Sequence, residues 1–233
     1  MIKFFCFNMF FFLVVSIHAQ QKIVVDLTGK GNFTSIQSAV NSLSDSAKKE
    51  RIIFIKNGIY KEKIFLTKHN VVLEGEDKKN TIIIQSIARD EFRCNAENDW
   101  GVATLNLSGN DITLKNLTIT NNYGFENNKE VIIACLNDTV IQQKTVRKDG
   151  HQMALRTFAT TRLIVLNCIL KAYGGDTVSP WNVEDGMFYF KDCEIEGGVD
   201  FYCPRGWAYA ENCKFYAHNG SAAIWHDGSK YED

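Results

Sequence analysis

The sequence predicts an all-β solenoid, a right-handed parallel β-helix closed at its N-terminal end by one short helix. Three observations predict it. An Asn/Asp-Cys pattern recurs as Asn167-Cys168-Ile169-Leu170, Asp192-Cys193-Glu194-Ile195 and Asn212-Cys213-Lys214-Phe215, with Asn116-Leu117-Thr118-Ile119 upstream. The cysteines are 25 and 20 residues apart, and Asn116 precedes Asn167 by 51, about two such units. Short β-rich runs bounded by Gly, Asn and Asp fill the chain after residue 50. One segment alone has the apolar spacing of an amphipathic helix. Repeats of this size stack as coils about 4.8 Å apart, each burying its apolar face on its neighbours. Regularly spaced strands also suit a sandwich or barrel; the Asn-Cys repeat favours the solenoid, with stacked amides between coils and the following residue in the core.

The elements follow in order. Residues 1–19 read as a signal peptide: Lys3 is the positive start, 4–17 is a nearly continuous apolar run too short for a membrane span, and His18-Ala19-Gln20 offers a cleavage site. A secreted or periplasmic protein with no membrane attachment after cleavage is expected. Residues 20–233 then form one domain. A first strand covers 23–27 and Gly29-Lys30-Gly31-Asn32 is a turn. Ile36, Ala39, Val40 and Leu43 place a capping helix over 34–43, with Thr34 as its N-cap. Strands are expected at 51–55, 63–66, 71–75, 81–85, 102–107, 112–120, 131–136 and 152–156.

The formal net charge is −1 and no basic block occurs, which argues against a nucleic-acid partner. Of the seven cysteines, Cys6 lies in the signal. Export permits a disulfide framework among Cys94, Cys135, Cys168, Cys193, Cys203 and Cys213. Equivalent positions in consecutive repeats instead make Cys168, Cys193 and Cys213 an internal ladder of reduced, buried thiols. No CxxC pair or Cys/His spacing supports a metal site, and no cofactor is expected.

Gln152, Asp176 and Asp200 are separated by 24 residues each. In a solenoid of that period they stack on one face. Alternation in 151–156 turns Met153 and Leu155 inward and Gln152 and Arg156 outward; in 198–201 it turns Val199 and Phe201 inward and Asp200 outward. Asp176 follows Gly174-Gly175, a pair that permits close ligand approach. Two neighbouring carboxyl groups can divide labour, one ionised and attacking, the other holding a proton to donate. The amide N–H can bind an oxyanion. Such a set suits acyl transfer from an ester and equally glycoside hydrolysis. Taken singly, each aspartate would be a solvated turn residue.

The residues also resemble a family. Residues 25–40, VDLTGKGNFTSIQSAV, are similar to the opening segment of the pectin methylesterases. Gly58-Ile59-Tyr60-Lys61-Glu62 matches their G-x-Y-x-E motif, and Gln152-Met153-Ala154-Leu155-Arg156 resembles Q-A-V-A-L-R. Asp176-Thr177-Val178 resembles Q-D-T-L, and Val199-Asp200-Phe201 the start of V-D-F-I-F-G. The resemblance implies a parallel β-helix carbohydrate esterase acting on pectin as a monomer. Asp200 would be the nucleophile, Asp176 the general acid and then base, and Gln152 the oxyanion donor. Tyr202, Trp181 and Trp207 would stack on sugar rings, and Arg205 is a neighbouring cation.

Two departures stand out. The family's second glutamine, just before the general acid, is Gly175 here. Its arginine, several coils beyond the nucleophile, is not found before Asp233. Residues 225–233 offer neither a capping helix nor a covering strand, so a chain incomplete at its C-terminus is expected. The alternatives are a non-catalytic β-helix protein that binds polysaccharide, and a pectin-cleaving hydrolase or lyase on the same fold.

Overall fold

In the computed structural model, residues 22–137 and 140–226 are described; the expected signal peptide lies outside them. Three parallel sheets run along the molecule. The first has seven strands, Lys22–Val25, Arg51–Ile55, Val71–Gly75, Ile112–Lys115, Leu163–Leu166, Met187–Lys191 and Trp207–Glu211. The second has six, Gly58–Tyr60, Thr81–Gln85, Thr118–Asn121, Ile169–Lys171, Glu194–Gly197 and Lys214–Ala217. The third has four, Ile64–Leu66, Leu105–Leu107, Leu155–Thr157 and Val178–Ser179. Each coil crosses the first sheet, then the second, then the third, and this is the expected parallel β-helix.

The register lines apolar residues into columns through the core. In the first sheet Ile53 pairs with Leu73, Leu73 with Leu114, Leu114 with Val165 and Val165 with Phe190. In the third, Ile64, Leu105, Leu155 and Val178 form a second column. The members of both columns are buried. Burial of each such side chain contributes roughly 1.5–3 kcal/mol, so the stacked columns are what the coils gain by stacking.

The Asn/Asp-Cys repeat has a backbone origin. Asn116, Asn167, Asp192 and Asn212 all have φ between 50° and 55°. Asn and Asp tolerate this left-handed conformation better than other side-chain-bearing residues, and it turns the chain from the first sheet into the second. Their side chains also bond along the stack: Asn167 donates to Asn116 at 2.8 Å and Asn212 to Asp192 at 2.5 Å. The next residue then points inward. Cys168, Cys193 and Cys213 accordingly follow one another on adjacent coils, with Glu194 N–H bonded to Cys168 O and Lys214 N–H to Cys193 O, both at 2.9 Å. All three are free thiols; Cys168 and Cys193 are buried and Cys213 is half-buried.

The helix α1 is Ile36–Asn41, shorter than expected, and Ser35 rather than Thr34 is its N-cap. Ser35 has extended backbone and its hydroxyl accepts from Ser38 N–H. The cap is fastened from outside. Glu62 accepts from Ile36 N–H and Gln37 N–H at 3.0 Å and from the Ser35 hydroxyl at 2.8 Å. Free N–H groups at a helix start favour a carboxylate there.

Four expectations are corrected by the strand pairing and strand bounds. Asn116 and Asn167 are on neighbouring coils, because Ile112–Lys115 pairs directly with Leu163–Leu166. The 51 residues are one enlarged coil, not two. The surplus is an excursion carrying α3 (Tyr123–Glu126) and an antiparallel hairpin of Val131–Asn137 with Val140–Val146. The expected strand at 131–136 therefore lies outside the solenoid ladder. The preceding coil has its own excursion, with α2 at Arg89–Phe92. Cys94 and Cys135 join the two excursions in a disulfide. The expected strand at 112–120 is two strands broken at Asn116, and that at 152–156 begins only at Leu155.

Candidate active site

Gln152, Asp176 and Asp200 occupy successive rungs where the chain passes from the second sheet into the third. His151 bridges Gly175, and Val178 bridges Tyr202 one coil on. Gln152 N–H donates to Gly175 O at 2.9 Å and Val178 N–H to Phe201 O at 2.8 Å. Asp176 and Asp200 are both half-buried and both left-handed, with φ of 56° and 48°. A repeated turn at a repeated interval presents two carboxyl groups from adjacent coils on one side of the molecule.

Gln152 points away from the core as alternation requires, yet it is not exposed: its relative exposure is 0%. The excursion carrying α3 folds over it. Its Oε1 accepts from Gly124 N–H at 2.9 Å, and its Nε2 donates to Lys148 O. This fixes the amide orientation. An amide nitrogen carries two hydrogens, and Lys148 O takes one of them.

The outward column beside this turn holds Asn106, Arg156 and Ser179 in register. Arg156 is 4% exposed, and burial pushes its guanidinium down to about 10, still cationic at neutral pH. Its Nη1 donates to Ser179 Oγ at 2.5 Å. The guanidinium lies 4.3 Å from the ring of Trp181 and 5.0 Å from that of Phe158. Arg205 lies 4.0 Å from the Trp181 ring. Trp181 is 40% exposed and, with Arg89, Arg93, Asp99, Arg156 and Phe158, lines a recess. Asp99 bridges Arg89 and Arg93 at 3.0 and 3.2 Å.

Two of the expected sugar platforms lie elsewhere. Tyr202 is 5% exposed and continues the core column of Val178, edge-on to Phe190 and Phe215 at 5.4 Å. The left-handed Asp200 resets the alternation, so Phe201 and Tyr202 both turn inward; strict alternation had implied the opposite for Tyr202. Trp207 is 54% exposed but belongs to the first sheet, beside Met187 and Tyr209. Trp181 lines the recess beside Arg156, and Arg205 lies over its ring.

A sequence profile of the Pectinesterase family matches residues 22–168. The chain belongs to the pectinesterase family. It is 29% identical over 206 residues to putative pectinesterase 11 of Arabidopsis thaliana, covering 85% of this chain and 48% of that protein. Among solved structures, the pectin methylesterase from Yersinia enterocolitica is 27% identical with a TM-score of 0.62, over 79% of this chain and 55% of that one. A pectin methylesterase in complex with a hexasaccharide is 25% identical with a TM-score of 0.61, over 83% and 54%. The chain thus spans about half the length of these pectinesterase relatives.

Sequence reasoning missed what covers and supports the site. Hydropathy alone did not reveal that Gln152 would be roofed by an excursion 28 residues upstream. Nor did it pair Cys94 with Cys135; the spacing of 41 carries no signal until the two excursions are seen to touch. The Gly124 that roofs Gln152, and the Ser179 and Cys203 beside Asp176, were likewise not singled out for the site.

Proposed function

We propose that the protein hydrolyses methyl esters of galacturonate units in pectin, releasing methanol. The observation that carries this is the pair Asp176 and Asp200, held in the same rare backbone conformation on consecutive coils beside an oriented, buried amide. Family membership supports it, and so does the hexasaccharide bound by a similar pectin methylesterase.

Asp200 carboxylate attacks the ester carbonyl carbon. The carbonyl oxygen becomes an oxyanion, to which the second Nε2 hydrogen of Gln152 is donated. As the tetrahedral centre collapses, the methoxide oxygen takes the proton of the Asp176 carboxylic acid and leaves as methanol. The sugar is then joined to Asp200 as a mixed anhydride. Asp176, now a carboxylate, accepts a proton from water, whose oxygen attacks the sugar acyl carbon. Galacturonate is released, with Asp200 ionised and Asp176 protonated again. Trp181, its ring held between Arg156 and Arg205, offers its exposed edge to a sugar, and Arg205 a cation near the sugar carboxylate. The protein works as a monomer in a secreted or periplasmic setting; the Cys94–Cys135 disulfide is in keeping with an oxidising compartment.

A second reading, a polysaccharide-binding protein without turnover, is favoured by Gly175. The test is methanol release from highly esterified pectin. Asp200→Ala is expected to abolish it and Asp176→Ala to reduce it severely, while Gln152→Ala loses on the order of 10²-fold in kcat. Equal rates for the wild type and Asp200→Ala would refute the nucleophile. Pectin binding by a wild type that releases no methanol would establish the second reading.

A further inference from the structure

We propose that Cys203 is a positioning residue that orients the Asp176 carboxyl group, at the end of a polar chain that starts on the buried Arg156. The inference rests on the esterase reading for the role of Asp176. Four residues from three consecutive coils make the chain. Arg156 Nη1 donates to Ser179 Oγ at 2.5 Å. The Ser179 hydroxyl lies beside the Cys203 sulfur and favours its charged form. The Cys203 thiol lies 3.4 Å from Asp176 Oδ1 and also faces Val178 O at 3.6 Å. Arg156, Ser179 and Cys203 are all buried, and Asp176 is the half-buried end that meets the cleft.

The direction of donation decides what the chain does. Arg156 can only donate, so Ser179 Oγ accepts from it and turns its own hydrogen toward Cys203. The one thiol hydrogen has two acceptors in reach, and Asp176 Oδ1 at 3.4 Å is nearer than Val178 O at 3.6 Å. Burial, with the adjacent Asp176 charge, pushes the Cys203 thiol up to about 12, so it keeps its hydrogen throughout the working range. A carboxylic acid has one carbonyl oxygen and one hydroxyl oxygen. With Oδ1 accepting from the thiol, Oδ1 is the carbonyl oxygen and Oδ2 carries the proton. Oδ2 is then the atom that gives its proton to the departing methoxide, and Cys203 neither gains nor loses a proton in the cycle. The charges nearest this chain are Arg156 itself, Asp99 and Arg205.

The test compares Cys203→Ala, Cys203→Ser and Ser179→Ala in the full chain, each checked for native circular dichroism. Cys203→Ala is expected to lower kcat for methanol release roughly three- to tenfold, the loss of one weak hydrogen bond, with KM unchanged. Cys203→Ser restores most of it, because a hydroxyl donates in place of the thiol. Ser179→Ala falls between, since Cys203 loses the neighbouring hydroxyl but keeps its own hydrogen for Asp176. The second readout does not need turnover. Three-bond couplings of Asp176 report a single χ1 in the wild type and an average over rotamers in Cys203→Ala. Wild-type kcat together with a single Asp176 χ1 in folded Cys203→Ala would overturn the proposal. So would a serine variant no better than alanine. If Cys203→Ala does not fold, a fixed Asp176 χ1 and unaltered kcat in Ser179→Ala overturn it as well. A wild type that releases no methanol but whose Asp176 rotamer depends on Cys203 would sink the esterase reading and leave the positioning role standing.

Discussion

Gly175 shows how much a single residue constrains the site. A Cβ built there would lie 2.7 Å from Val199 O and 2.8 Å from the His151 ring. The first of these is backbone of the next coil, one residue before Asp200, and cannot turn aside. The glycine is thus a close-packing requirement between two rungs as well as the loss of an amide. Gly175→Gln is expected to destabilise the protein by about 1–3 kcal/mol through overpacking and to lower methanol release, because relieving the contact moves Val199 and Asp200. Thermal unfolding and the methanol assay, run on the same sample, check both. A variant as stable as the wild type with more activity would mean that the coils separate easily here. Arg156 makes the complementary point, since an arginine read as outward-facing proves to be a buried cation supported by two aromatic rings and a serine.

At the scale of elements, the sequence motif around Glu62 is structural. The Tyr60 hydroxyl donates to Lys56 O at 2.8 Å inside the first coil, and Glu62 reaches across to the start of α1. The helix is six residues long, too short to persist alone; it is held by Glu62 and by burying Ile36, Ala39 and Val40 on the coil end. Glu62→Ala is expected to cost about 1–3 kcal/mol, the loss of charge-assisted bonds to the α1 N-terminus. Hydrogen exchange should show faster exchange of the α1 amides with the third sheet unaffected. Unchanged protection of Ile36 and Gln37 would show that apolar contact alone holds the cap. Helix position was legible in the apolar spacing, but its start was not. Thr34 and Ser35 are both good caps by composition, and Glu62, 27 residues away, engages the second.

For the whole molecule, the two excursions form a lobe built beside the solenoid and tied through Cys94 and Cys135. Ala88, Tyr123 and Val146 make a small core of their own there, and Lys144 bridges Asp90 at 3.2 Å. Because Gly124 and Lys148 in this lobe hold the Gln152 amide, its stability bears on the site. Cys94→Ser is expected to lower unfolding free energy by about 2–4 kcal/mol. The larger effect should be on kcat, which falls toward the value of Gln152→Ala as the amide loses its fixed partners. Denaturant unfolding and methanol kinetics with and without reductant test this. Full activity in the reduced protein would show that the lobe holds Gln152 without the disulfide.

The sequence by itself determined the solenoid, its period and the common face of three polar residues. These follow from local rules: Asn and Asp accept a left-handed turn, the residue after them goes inward, and an interval of 24 places like on like. The family likeness added roles to those residues. Only the tertiary structure decided which residues a repeat counts, because the 51-residue step is one coil with an excursion, and pairing partners so far apart leave no local trace. It also decided exposure. Alternation tells which side of a strand a residue leaves from, and Gln152 and Arg156 leave outward as read. What then covers them comes from segments distant in sequence, and a left-handed residue such as Asp200 shifts the alternation for Tyr202 after it. Burial and hydrogen-bond partners at this site are properties of packed coils, set by contacts that no single segment contains.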